Sequence, residues 1–204
     1  MNIKTENLLS SVNLLIQPFL DALKSKQEVE GIVLLGGLGK RSHFDLDSDV
    51  DVSVFVSTQQ DINVDWLPSF EFSTYFDSSD TVITKLPFNV HQQSIIKEQD
   101  SAWDEVKKEA YANGIIYYDK SNKIAQLINE KTQHPEQVKK DTLVKFSSKL
   151  PPYLLINPKK QAKRGMFSTA HNILNNGIDM LVESLFTLND EFIPHDKWKM
   201  EKSL

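Results

Sequence analysis

The chain has no cysteine among its 204 residues. Disulfide scaffolds, thiolate zinc centres and cysteine nucleophiles are therefore excluded, and a reducing cytoplasm is the compatible compartment. An excess of positive charge is lacking too. Lys and Arg number 23 against 28 Asp and Glu, a formal net charge of −5. That balance argues against a protein that grips nucleic acid through a broad basic surface, while a local basic pocket stays open. No stretch reaches the roughly 18 apolar residues of a membrane span. The opening segment, MNIKTENLLSSVNLLIQPFLDALKSK, has no basic leader ahead of an apolar core. Asn13, Gln17 and Asp21 interrupt it, so it reads as a helix rather than a signal peptide. Internal repeats and low-complexity tracts are absent as well. With 40% hydrophobic and 25% charged residues, what remains is an ordinary globular composition. The length suits one medium domain or two small ones.

Periodicity orders the rest. Leu9, Val12, Ile16, Phe19, Leu20 and Leu23 recur at helical spacing over residues 6–25. GIVLLGG, residues 31–37, reads as a short buried strand ending in glycines, and DVDVSVFVS alternates as a second strand. SFEFSTYFD and TVITKLPFNVHQQSI are two further strand candidates, with a turn at Asp77–Asp80. Beyond Lys97 the pattern turns helical. Ser101 is the expected N-cap and Gly114 the stop of one helix, GIIYYD a short strand, and NKIAQLINEK another helix. Helical patterns then cover 136–150 and 158–190, with LPPYLLINPKK as a Pro-rich hinge. KMEKSL at the end carries no stop signal. The expected organisation is an α/β part over 1–130 and a helical part over 131–204.

The chemistry concentrates in GGLGKRSHFDLDSDVDVSVFV, residues 36–56. A calcium loop starting at Asp45 would need Gly and Glu where Val50 and Val56 stand. A phosphate-binding P-loop would need an earlier Gly at Leu34 and Ser or Thr at Arg41, and a dinucleotide fingerprint would need Gly at Ser42. Those templates fail. In an extended strand, however, Asp49, Asp51, Ser53 and Phe55 share one side and the four valines the other. The valine side is expected to pack and the aspartate side to face a cleft, because two unpaired carboxylates are not buried dry. Side chains two apart on a strand sit about 6.5–7 Å apart, so their oxygens can converge on divalent cations. Oxygen-rich surroundings suit magnesium, which commonly takes phosphates as further ligands. Gly36 and Gly37 let a backbone approach a phosphate closely. Lys40, Arg41, Ser42 and Ser48 are the accompanying candidates for charge and hydrogen bonds. Asp45 and Asp47 read as solvated loop residues.

Apolar strand, double glycine, a spacer of about ten residues, then Asp-x-Asp between apolar residues: in that order LLGGLGKRSHFDLDSDVDVSVFV resembles the signature of the polymerase-β-type nucleotidyltransferase superfamily. A small N-terminal unit followed by helices further resembles the antibiotic (lincosamide and aminoglycoside) nucleotidyltransferases and their uncharacterised bacterial relatives. The resemblance implies an α+β fold, a small mixed sheet backed by helices and followed by a helical bundle. It implies transfer of a nucleoside monophosphate from an NTP to a hydroxyl of a small molecule, an antibiotic among them, or of a protein. Asp49 and Asp51 would hold one or two Mg2+ ions, and pyrophosphate would leave. A C-terminal helix would help close the nucleotide cleft, which makes Lys163 and Arg164 candidates for the triphosphate. The superfamily commonly has a third carboxylate on a neighbouring strand. Here Asn89 and His91 hold the better position by order and spacing, but an amide takes no proton; His91 would then be the base. Glu71 has the right chemistry on the earlier strand candidate. The alternative reading is a nucleotide-binding or regulatory protein of the same fold with weak or no catalysis, acting on a partner protein. Expected partners are an NTP, the acceptor and a second copy in a homodimer; nucleic acid and membrane are not expected.

Overall fold

A computed structural model describes residues 3–40, 48–57, 88–197 and 199. The fold is α+β, with a four-stranded mixed sheet and a helical C-terminal part. Two compact units divide the chain, one of residues 1–103 and 110–132, the other of 104–109 and 133–204.

In the first unit the amphipathic helix α1 (Ile3–Lys24) precedes β1 (Val29–Leu34), a short helix α2 (Gly36–Lys40) and β2 (Val50–Val56). β3 (Phe88–Ser94), α3 (Ile95–Asp100), β4 (Ile115–Asp119) and α5 (Lys123–Lys131) follow, and α4 (Glu105–Ala112), between α3 and β4, is divided between the two units after Glu109. The sheet order is β3-β2-β1-β4. β1 runs antiparallel to β2 and β4, while β2 and β3 are parallel. Parallel neighbours need a crossover of at least about a dozen residues, and the chain between Val56 and Phe88 is long enough for one.

Both faces of β2 are packed. Val50, Val52, Val54 and Val56 meet the apolar row of α1, Leu9 through Leu23, together with Ile32 and Leu34. On the opposite face Phe55 joins Val33, Leu35, Ile95, Trp103, Tyr111, Ile124, Leu127 and Ile128 in a second core. The expected one-sided strand is thus corrected. From Ser53 onward the aspartate-bearing face is itself interior, because helices cover the sheet on both sides. Only the entry end of β2 is left partly open, and that is where Asp49 and Asp51 stand.

Several boundaries move for local reasons. The expected strand over 31–37 ends at Leu34, and Gly36–Gly37 open α2 instead. Ser101 does not start a helix. It closes α3, its N–H bonded to Lys97 O at 3.0 Å, and Asp104 caps α4 through Oδ1, 2.7 Å from Lys107 N. The second strand candidate is described from Phe88 on, whereas SFEFSTYFD and the turn at 77–80 lie outside the described residues.

The second unit contains α6 (Glu136–Pro151), a π-helical turn (Pro152–Ile156), α7 (Asn157–Lys163) and α8 (Phe167–Leu188). The Pro-rich segment is helical rather than a hinge. Pro151 and Pro152 lack the N–H that α-helical bonding uses, and the backbone widens so that Asn157 N–H donates to Pro152 O, five residues back. The chain breaks instead at Gly165, whose φ of 76° closes α7. Met166 N bonds Gln161 O and Gly165 N bonds Ala162 O, each at 3.0 Å, the Schellman pattern.

Candidate functional site

β2 and β3 are in register Asp51↔Asn89 and Ser53↔His91. Equivalent positions on parallel neighbours share a face, so Asn89 stands beside Asp51 across 38 residues of sequence. Its amide nitrogen donates to Asp49 Oδ2 at 2.6 Å and to Asp51 Oδ1 at 3.1 Å. Two carboxylates thereby converge on one point, and both are only half-buried. Charge-assisted bonds of this kind hold like charges together that would otherwise repel.

The loop before β2 is built against the same group. Gly36 has φ 60°, and a Cβ added there would land on Asp51 Oδ2. Glycine at 36 is thus required twice, by backbone conformation and by the space the carboxylate occupies. Leu35 N donates to Asp51 O at 2.9 Å, which ties the α2 entry to the start of β2. Gly39 is needed for a separate close approach, to Leu34 O.

Behind the site lies a polar network in the second core. The buried Ser53 hydroxyl and Tyr111 hydroxyl are 2.7 Å apart. Burial pushes the Tyr111 hydroxyl up to about 12, against a lowering by the Ser53 bond. Trp103, 4.7 Å from the Tyr111 ring, donates from Nε1 to Glu98 Oε2 at 2.6 Å. These side chains anchor the strand that carries Asp51. Sequence reasoning passed over Tyr111, although Ser53, two residues past Asp51 on the same face, was the available signal.

The other candidates are distributed as follows. His91 is exposed on β3, two residues past Asn89. Gly37 and Lys40 lie in α2, half-buried, and Ser48 is half-buried beside Asp49. Lys163 ends α7 and Arg164 caps it, both exposed in the second unit. Arg41, Ser42 and Glu71 lie outside the described residues.

Magnesium, implied by the superfamily resemblance, can be tested against this donor set. No group of three His, Cys, Asp or Glu gathers for a metal among the described residues. The set is two carboxylates and one amide, all hard oxygen donors once the Asn89 amide turns its Oδ1 inward. A cation that keeps several waters or phosphate oxygens needs no more from the protein than one or two carboxylates. The cradle at Gly36 keeps the backbone close to Asp51 Oδ2. The residues fit the ion.

Comparison with known proteins adds three findings. A family model described as a domain of unknown function (DUF4037) matches residues 103–199, just under half of the chain and beyond the Asp49–Asp51–Asn89 cluster. No curated protein matches. Among solved structures, the chain is similar to a nucleotidyltransferase-like protein from Exiguobacterium sibiricum 255-15, with 11% identity and a TM-score of 0.45. The alignment covers 94% of this chain and 62% of that one, so this chain spans less than two thirds of the solved protein. Among the described residues no helix is long and apolar enough to cross a membrane.

Proposed function

We propose that the chain is a magnesium-dependent nucleotidyltransferase, moving a nucleoside monophosphate from an NTP to a hydroxyl of a small molecule or protein. The observation that carries this reading is the convergence of Asp49 and Asp51 on Asn89, beside a glycine bend that only glycine fits. Asp49, Asp51 and the Asn89 oxygen would hold the ion. When bound, magnesium supplies charge neutralisation on the triphosphate and acidifies the attacking hydroxyl.

The chain's own residues do the rest. Gly36 and Gly37 allow a phosphate near the backbone, and the half-buried Lys40 and Ser48 are candidates for its oxygens. The acceptor oxygen attacks the α-phosphorus, the bond from that phosphorus to the bridging oxygen breaks, and pyrophosphate departs with that oxygen. His91, on the Asn89 face of β3 and open to solvent, is the candidate to take the proton of the attacking hydroxyl. Positioning and electrostatics dominate such a transfer.

Pyrophosphate release tests this directly, with ATP, GTP, CTP and UTP, magnesium and a panel of hydroxyl acceptors. Asp49→Asn and Asp51→Asn are expected to abolish it. An Asp49→Asn protein as active as the parent eliminates the proposal. One observation favours a second reading: a neutral amide stands where a third carboxylate would serve. A nucleotide-binding or regulatory protein of this kind would bind Mg-NTP in calorimetry without releasing pyrophosphate.

A further inference from the structure

The second unit keeps its charges apart. Between Asp141 and Asp179 the chain carries six cations, Lys145, Lys149, Lys159, Lys160, Lys163 and Arg164, and no acid, although the whole chain has a net charge of −5. α6, the π-helical turn and α7 run on without a break, and α8 returns beside them as the second arm of a helical hairpin. Lys139 Nζ meets Asp190 Oδ1 at 2.6 Å at the open end, Gly177 lies against Leu154 in the middle, and Gly165 closes the other end. At the open end the cations are paired, Lys139 with Asp190, and Lys199 with Glu183 and Asp196. The six cations of the acid-free stretch are all exposed, and among the described residues none of them is in an ion pair.

The closed end is apolar as well as basic. Leu155, Ile156, Met166 and Phe167 are exposed beside Lys159, Lys160, Lys163 and Arg164, Leu155 at 61% and Phe167 at 71%. Unpaired like charges raise the local potential, and large apolar side chains in water mark a contact surface. Their complement is a surface that is anionic and apolar together.

We infer that the closed end of this hairpin docks on an anionic lipid bilayer, with its lysines and Arg164 at the headgroups and Phe167 entering the acyl boundary. Helices that lie on membranes combine Lys and Arg with exposed apolar side chains, and clusters of about four to eight cations select anionic lipid. A nucleic acid offers phosphates but nothing to Leu155 and Ile156. Single strands are held by stacked aromatic rings, and Phe167 is the one exposed Phe, Tyr or Trp of the acid-free stretch. Protein interfaces favour Arg, Trp and Tyr over Lys, whereas five of these six cations are Lys. The inference stands apart from the proposed transfer reaction.

Co-sedimentation of the full chain with phosphatidylcholine vesicles, with and without about 30% phosphatidylserine, tests it in about 0.1 M salt. The chain is expected to pellet with the anionic vesicles, to stay in solution with the neutral ones, and to be released as salt rises. Each cation near such a surface is worth about fivefold in partitioning. K159Q, K160Q, K163Q and R164Q combined are therefore expected to lower the partition coefficient at least about a hundredfold, and F167S about tenfold. K97Q and K123Q, at exposed lysines of the first unit, are expected to change nothing. Circular dichroism checks that each variant keeps its helices. A chain that ignores anionic vesicles, or binds neutral ones equally well, overturns the inference. So does a fourfold variant that binds like the parent. Indifference to F167S, or binding to polyuridylate or polyglutamate without binding to vesicles, assigns the patch to a soluble polyanion and overturns it too.

Discussion

Asn89→Asp is the sharpest test of the carboxylate cluster. The substitution replaces an amide nitrogen, 2.6 Å and 3.1 Å from two carboxylate oxygens, by a third anionic oxygen in the same space. Two charge-assisted hydrogen bonds are lost and two repulsions appear. Unit charges at about 4 Å interact by about 1 kcal/mol in water and about 4 kcal/mol at an effective dielectric of about 20. Asn89 is exposed and the aspartates half-buried, so solvent holds each repulsion near the lower figure. With the lost hydrogen bonds at the low end of their range, the ion-free protein should lose about 3 kcal/mol. For a chain of this size that lowers the melting temperature by roughly 6–12 °C. A dication reverses the sign, since three carboxylates bind it better than two. At a hundredfold excess over its dissociation constant it returns about 2.7 kcal/mol. The assay is thermal unfolding of parent, Asn89→Asp and Asn89→Ala, each with and without millimolar Mg2+. Magnesium should raise Asn89→Asp the most and Asn89→Ala the least. If Asn89→Asp melts with the parent in EDTA, or magnesium leaves all three unmoved, the cluster is not a cation seat.

Gly36→Ala should cost about 1–3 kcal/mol, because φ 60° strains any Cβ and this one collides with Asp51; thermal melts measure it, and Mg-NTP affinity in calorimetry should fall with it. Tyr111→Phe leaves the buried Ser53 hydroxyl without its partner, a loss of about 1–3 kcal/mol by urea unfolding. The same tyrosine predicts alkaline sensitivity. Its folded value of about 12 lies above the ordinary 10, so between pH 10 and 12 the unfolded chain has lost a proton that the folded chain retains. Stability falls as pH rises through that window, by roughly 2–3 kcal/mol, and Tyr111→Phe should flatten the slope. His91→Ala should reduce transfer by about 100-fold or more, measured as pyrophosphate release with Mg-NTP and acceptor.

Much of the candidate site was legible locally. Alternation in β2 put Asp49 and Asp51 on one side, and the double glycine announced a bend close to something. The failures share a cause. The inside of the aspartate face, from Ser53 on, was invisible because a strand's own alternation does not reveal that α3–α5 cover its second side. Ser101 looked like a helix start because both ends of short helices attract small polar residues, and the helix it closes, α3, is only six residues long. The prolines at 151 and 152 announced a break; neighbouring helices retained the segment as a π-turn.

By itself the amino-acid order determined which side chains could act together within one element: the paired acids, the glycine bend, the apolar row of α1. Short-range sterics and a repeat of two or 3.6 residues are enough for that. Only the tertiary structure decided that β3 lies parallel to β2 in the register that lays Asn89 across both carboxylates, and that α8 buries Ala170, Gly177, Val182 and Phe186 while Leu181 and Leu185 stay exposed. Those choices depend on packing between segments tens of residues apart, where the free energy of contact comes from surfaces that no single stretch contains.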